Sequence, residues 1–588
     1  MILDRLKALR QLMDQHQLDA YIINGTDPHL SEYAPERWKT RSFISGFTGS
    51  AGVVVITKDK GGLWTDSRYF LQAENELKDT GIELFKQRVE GTPSITEWLK
   101  EVLLEGSCVG LDGTCFSMGE VEQMEADFSA KSITLSIEQD LLETIWVDRP
   151  VFPNSQAELV PDEVAGETVE NKISQLLATA NADYHLVTAL DEIAWLLNIR
   201  GKDVAFNPVF MSYLLVGENR STLFVNPEKI SNDITNHLQQ ANVKCLPYNA
   251  VFTELKEVVA NQSIYIDPAK TNAAVANAIP ENCKATMGAS KVALLKAQKN
   301  ATEISGFHKA MEQDGVALSR FLFWLDKNVD SGSISEYDVR LKLKEFREQQ
   351  PDFKQESFPP IVGYADHGAI VHFSVTEETA NKIEPRGMLL FDSGGQYTCG
   401  TTDTTRTVAV GKVTDQMKQD FTLVLKGMIG LTNVVFPENT KGFHVDIMAR
   451  QWLWKEGLNY GHGTGHGVGF YLNVHEGPMS IRQEFNNTPL MEGMVISNEP
   501  ALYRENEYGI RTENVIYCVE KMQTEYGRFL GFETFTLCPI DKRCIDKELM
   551  SADEVTWLNN YHQQVFNKLE KHFEGEELQW LQEATSSL

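Results

Sequence analysis

The chain has 588 residues, 42% hydrophobic and 23% charged, which suits several folded domains and excludes disorder as the default. Its 54 Lys and Arg stand against 83 Asp and Glu, and the resulting formal charge of −29 repels phosphate backbones and anionic membranes, so no nucleic acid partner is expected. No run approaches the roughly eighteen apolar residues of a membrane span, so no membrane partner is expected either.

At the start of the chain, Ile2, Leu6, Leu9 and Met13 recur at helical spacing among charges, which predicts an amphipathic helix instead of a signal peptide. A cytoplasmic location follows as an expectation. Eight scattered cysteines without a Cys-x-x-Cys pair read as reduced thiols, mostly core fillers.

Short apolar runs come next, AYIIN (20–24), GVVVIT (52–57) and GLWTD (62–66), read as strands alternating with helices. Pro150, Pro153 and Pro161 mark 146–161 as a linker. A second block repeats the order, with a helix over 163–180 and strand-like runs at 185–191, 209–216 and 221–227. Asp19 and Asp27 are eight residues apart, as are Asp183 and Asp191, which suggests an internal duplication.

A third block opens with a helix through Ile304, Phe307, Met311, Leu318 and Leu322, and Ser335 with Asp338 predicts a capping box. Strand-like runs (IVHFSV, MLLFD, TRTVAV, MVISNEP, ENVIYCVE) then surround a helical pair between 414 and 457, an α+β pattern with a curved antiparallel sheet. The domains are set at 1–155, 156–298 and 299–588: two related α/β domains and a larger C-terminal one. Val555, Leu558, His562, Val565 and Leu569 form a last amphipathic helix that packs internally or makes a dimer contact.

The chemistry lies in the third block. Asp392 ends the run MLLF, and Asp403 alternates with Thr401, Thr405 and Thr407 in GTTDTTRTVAV, which reads as one strand. A single strand carboxylate is more often an ordinary solvent-facing residue. The segment GHGTGHGVGF (461–470) sets His462 and His466 among five glycines that let the backbone pass close to a bound group, and His475 follows nine residues after His466. It has neither the register nor the lysine of a phosphate loop. Glu499 follows an apolar run in VISNEPALY, and Glu513 reads as part of an alternating strand with Arg511 and Val515. Buried carboxylates are costly unless paired or metal-bound. Four carboxylates and one imidazole fit two divalent cations about 3.5–4 Å apart. Oxygen-rich ligands favour Mn2+, with Zn2+ or Co2+ tolerated.

These contexts, DSGG, TTDTTRT, GTGHGVG, NEP and GIRTEN, resemble the pita-bread metallopeptidases. With RSFISGFTGSAG (41–52), LWTDSRYFLQAE (63–74), ALDEIAWLLNIRG (189–201) and NPVF (207–210), the chain resembles the long, three-domain Xaa-Pro aminopeptidase (aminopeptidase P) family. One departure is Pro-Ala-Leu-Tyr (500–503), where the family usually has Pro-Gly-Tyr-Tyr.

The resemblance implies two creatinase N-terminal-like α/β domains ahead of a pita-bread catalytic domain. It implies that Asp392 binds one metal, that His466 and Glu499 hold the other, and that Asp403 and Glu513 bridge both around a nucleophilic hydroxide. It further implies that Glu499 is catalytic as well as a ligand, that His372 steadies the carbonyl oxygen, that His475 lies near the leaving proline and that His462 lines the substrate pocket. Arg511 orients a ligand or substrate, or forms a structural ion pair; both readings stay open. The implied activity is removal of the first residue from peptides with proline second, by a homodimer. Rivals are a prolidase-type dipeptidase, a metal-free creatinase-like hydrolase and a non-catalytic binding module. All five ligands being present weighs against the last two, and the apparent second N-terminal domain against the first.

Overall fold

Leu6, Leu9 and Met13 are buried along one face of the helix Ile2–Gln15, as their spacing requires. In the computed structural model, which describes residues 1–138 and 140–588, the chain forms two compact units. One is Met1–Pro161 with Glu167–Val292, and the other is Asp162–Gly166 with Ala293–Leu588. Among the described residues no helix is long and apolar enough to cross a membrane. All eight cysteines are free; Cys115, Cys399, Cys518, Cys538 and Cys544 are buried, whereas Cys245 is exposed.

The first unit is a duplication. Each half holds a six-stranded sheet built in the same spatial order. In the first half Ala20–Ile23 runs antiparallel to Val53–Thr57 and parallel to Cys108–Leu111. In the second, Tyr184–Val187 runs antiparallel to Ser212–Gly217 and parallel to Ser263–Ile266. The outer strands repeat the match: Gly61–Thr65 pairs parallel with Glu83–Lys86, and Ser221–Val225 parallel with Val243–Leu246.

The paired aspartates share a role only in part. Asp19 accepts the Cys108 N–H at 2.9 Å and Asp183 accepts the Ser263 N–H at 2.7 Å, so each carboxylate caps the start of the fifth strand of its sheet. Asp27 instead accepts from His29 and Ser31 in a loop, while Asp191 lies in the first turn of the helix Leu190–Leu196.

In the second unit the helix Ala301–Asn328 buries Phe307, Met311, Leu318 and Leu322, and the helix Glu336–Glu348 begins at the Ser335–Asp338 capping box. A three-stranded antiparallel sheet (Ile361–Tyr364, Met388–Ser393, Thr404–Ala409) and a six-stranded one containing Gly465–Gly467, Val495–Asn498 and Asn514–Thr524 give the curved surface. The helices Asp415–Thr432 and Gly442–Lys455 form the expected pair. The helix Ala552–Leu569, followed by a shorter one at Gly575–Ala584, packs internally: Leu558, Val565 and Leu569 join the core around Phe421 and Val424.

Three runs read as continuous strands are not. The strand expected through His372 is replaced by a short 3-10 segment, Ala365–Ala369, and turns, because Ile370 and Phe373 donate their N–H groups locally to His367 and Ile370. The GTTDTTRTVAV strand breaks at Thr402–Asp403: Gly400–Thr401 pairs with Gly395–Tyr397, whereas Thr404–Ala409 pairs with Met388–Ser393. The chain breaks again at Thr512–Glu513, between a hairpin partner of Ala501–Arg504 and a partner of Val495–Asn498.

Candidate metal centre

Both breaks fall at candidate ligands. Where the chain switches from one ladder to another, Asp403 and Glu513 leave the sheet faces and turn towards each other's strands. Asp403, His466 and Glu513 bring ligand atoms within 4.8 Å of one another. His466 Nε2 lies 3.4 Å from Asp403 Oδ2 and 3.6 Å from Glu499 Oε1. Asp392 enters from the neighbouring strand, directly paired with Thr405.

One oxygen of each inner carboxylate is held in place. Asp392 Oδ2 accepts from Arg511 at 2.6 Å, and Glu513 Oε2 accepts from the Thr405 hydroxyl at 2.7 Å. The other oxygen of each, Asp392 Oδ1 and Glu513 Oε1, is buried without a hydrogen-bond partner among the described residues. An orphaned buried carboxylate oxygen is expensive, and two facing one cluster are what a cation would satisfy. His466 is oriented the same way: its Nδ1–H donates to the Gly467 carbonyl at 2.9 Å, which turns Nε2 towards Asp403 and Glu499, where a cation could take the place of its proton.

The electrostatics agree. Burial pushes Glu499 up to about 7, with Asp403 and Asp392 adding to it against His466 and Arg511. Burial, then Asp403, Asp392 and Glu499, raise Glu513 well above the carboxylate range. Burial also raises Asp392, and Arg511 opposes it. Burial alone would lower the His466 imidazole, but Asp403 and Glu499 outweigh it and hold it at about 9. Like charges packed this closely keep protons unless cations replace them.

Of the remaining candidates, His475 and Arg511 touch this group, and His462 is joined to Arg511 through Tyr503. The His475 ring meets His466 edge-on, with centroids 4.4 Å apart. His462 Nε2 lies 2.9 Å from the Tyr503 hydroxyl, and His372 sits half-buried in the turn before Phe373. Arg511 is buried against Asp392, Tyr503 and Thr405. Tyr503, which joins His462 to Arg511, has no signal in the sequence: the hairpin puts its side chain near Arg511, eight residues away. The glycines serve a different end from the one expected. A Cβ on Gly465 would lie 2.0 Å from the Ser497 carbonyl and one on Gly467 2.4 Å from that of Glu476, so strand-to-strand approach, not a ligand, requires them.

Family models match residues 5–142 and 148–303 as creatinase/prolidase N-terminal domains, 305–520 as metallopeptidase family M24 and 528–588 as the C-terminal region of peptidase M24. The probable Xaa-Pro aminopeptidase P of Aspergillus flavus is 37% identical over 607 residues, spanning 100% of this chain and 92% of its own. This chain belongs to the Xaa-Pro aminopeptidase P family of M24 metallopeptidases. Aminopeptidase P2 of Arabidopsis thaliana is also 37% identical, across 100% of this chain and 88% of its own. The crystal structure of X-prolyl aminopeptidase from Caenorhabditis elegans, described as a cytosolic enzyme with a di-nuclear active site, superposes with a TM-score of 0.96 at 34% identity over the whole of both chains. Within this M24 chain, Ala501 and Leu502 of the Pro-Ala-Leu-Tyr departure are buried, Leu502 in the hydrophobic core, so the core absorbs both changes.

Proposed function

We propose that the chain is a metal-dependent aminopeptidase that removes the first residue from peptides whose second residue is proline. The observation that carries this reading is the pair of orphaned oxygens on Asp392 and Glu513, in a chain similar along its whole length to Xaa-Pro aminopeptidases.

Asp392 would hold one divalent cation, His466 and Glu499 a second, and Asp403 and Glu513 both; Mn2+ suits the oxygen-rich donors, with Zn2+ or Co2+ as substitutes. The cations would supply Lewis acidity and a water acidic enough to attack near neutral pH. The rest falls to the chain's own side chains. Arg511 and Thr405 each hold one oxygen of Asp392 and Glu513, which would leave the other oxygen of each carboxylate for a cation. His372 would donate to the scissile carbonyl oxygen as charge develops there. His475 would flank the leaving proline, and His462, steadied by Tyr503, would line the pocket.

Proline nitrogen carries no N–H, so a backbone-reading peptidase loses a contact there and a shaped pocket must replace it. The acidic cluster suits the free amine of the first residue. A homodimer in the cytoplasm, with domain boundaries near 155 and 298, completes the proposal.

Mass spectrometry of the manganese-loaded protein with Xaa-Pro peptides and matched Xaa-Ala controls tests it. Release of the first residue from the proline peptides alone is expected. Equal release from both sets would remove the proline specificity, and cleavage of dipeptides alone would favour the prolidase reading.

A further inference from the structure

Glu336, at the first turn of the helix Glu336–Glu348, is fully buried, yet its carboxylate serves a loop that belongs to another part of the fold. Its oxygens accept the Tyr364 N–H and the Asn381 N–H, each at 2.6 Å, and His367 Nδ1 lies 2.9 Å from the nearer oxygen. The His367 ring is stacked on Phe373, centroids 4.1 Å apart and 28° between planes. One turn further along the helix, Arg340 donates to the Val375 carbonyl at 2.7 Å. The same helix therefore grips both ends of segment 367–375, and His372 lies inside it. On the opposite side Gly368 is pressed onto Gly509, where a Cβ would lie 1.7 Å from the Gly368 carbonyl oxygen; Gly509 is two residues from Arg511.

We propose that the Glu336–His367 pair is a pH-sensitive positioning device for His372. An imidazolium at His367, clamped to Glu336 and covered by Phe373, holds the intervening turn so that His372 meets the substrate carbonyl. The inference rests on the role given to His372 under the proposed function.

The charges acting on the ring are Glu336, from the helix, and Asp366, from its own turn. Ionisable groups on the strands packed against the turn are engaged elsewhere. The Tyr364 hydroxyl donates to the Arg386 carbonyl, Arg504 and Tyr508 hold Asp420, and Arg511 joins Tyr503 to Asp392. Burial by itself would lower the His367 imidazole, but Glu336 and Asp366 outweigh it and raise it above the ordinary histidine value. The clamp thus keeps its charge to higher pH than an ordinary histidine would and weakens as pH rises through that raised value.

The test compares kcat and KM of wild type, His367→Gln and His367→Lys on an Xaa-Pro peptide between pH 6 and 9, with melting temperatures as the check on folding. Glutamine keeps a hydrogen bond to Glu336 without charge, so its kcat should fall roughly fivefold at pH 6.5 with KM little changed. That deficit should narrow as pH rises and the wild type loses its own charge. Lysine keeps its charge across this range, so it should match wild type at the low end and gain on it as pH rises. A glutamine-to-wild-type ratio that stays constant with pH, or is one throughout, overturns the inference while leaving the aminopeptidase reading intact. Absence of wild-type activity on any Xaa-Pro peptide overturns both.

Discussion

Arg511 donates to Asp392 Oδ2 at 2.6 Å while a second guanidinium nitrogen holds the Tyr503 hydroxyl at 2.5 Å. A lysine has one point of charge and cannot make this forked contact. Arg511→Lys should therefore lower kcat/KM by about 10- to 100-fold and weaken metal retention to a similar degree, the usual cost of losing a group that orients a ligand. Steady-state kinetics and chelator competition measure both. Unchanged values would mean that Asp392 needs no orienting partner.

Asp403 raises the cost of ionising Glu513, since its coulombic repulsion is, after burial, among the causes that raise Glu513. Glu513→Gln or Asp403→Asn should abolish turnover, yet leave the metal-free protein folded with an equal or higher melting temperature. The metal-induced rise in melting temperature should vanish. For wild type, cation at a hundredfold excess over Kd corresponds to about 2.7 kcal/mol of stabilisation. Near-normal hydrolysis by either variant would falsify the site.

Chelation should silence the enzyme, and Mn2+ should restore more activity than Zn2+ or Mg2+, because four carboxylates accompany the single imidazole. Activity assays across a metal series decide this. Indifference to chelator would point to chemistry elsewhere in the chain.

His29 and His562 are both buried and neutral, lowered to about 3 chiefly by burial. The unfolded chain takes up protons at these positions below about pH 6.5, whereas the folded chain does not until near 3, so stability falls across that window as pH drops. At pH 4.5 each would cost about 2.7 kcal/mol. His29 Nδ1 lies 2.8 Å from the Thr188 carbonyl and Nε2 2.7 Å from the Tyr248 hydroxyl, a pairing that suits the neutral ring. Denaturant unfolding of His29→Gln between pH 7 and 4.5 should show a shallower loss than wild type; an equal slope would exclude the histidine as a cause.

Gly465→Ala would set a Cβ 2.0 Å from the Ser497 carbonyl, with backbone on both sides of the clash. The strand carrying His466 would have to move away from the strand that leads to Glu499. A stability loss of about 1–3 kcal/mol is expected, together with a fall in kcat larger than in Gly463→Ala, where the nearest atom is 3.5 Å away. Equal activity of the two variants would show that the His466 strand tolerates displacement.

Much of this was legible from residue pattern. Apolar spacing located the helices at Leu6, Leu9 and Met13 and at Phe307 and Met311, because burial of one helix face is a local property of sequence. The five candidate ligands could be picked out from their glycine- and threonine-rich contexts. What escaped were features set by the meeting of distant segments. Alternation predicts Asp403 and Glu513 in mid-strand, whereas each lies at a switch between ladders that alternation alone does not reveal. The apolar run around His372 predicts a strand for the same reason: it does not say whether its N–H groups find a partner strand or a local carbonyl. Tyr503 and Glu336 act through contacts across a hairpin and from a helix, which only the folded chain brings together.

The Glu513 N–H is given to the Thr405 carbonyl at 3.1 Å while the Thr405 hydroxyl is given back to the Glu513 carboxylate at 2.7 Å. The two segments are buttoned to each other twice, by main chain and by side chain. A slip of one residue would undo both fasteners at once and swing Thr405 to the far face of its strand. The cation site is therefore tied to register: the carboxylate of Glu513 faces its partners only when the two segments are correctly aligned.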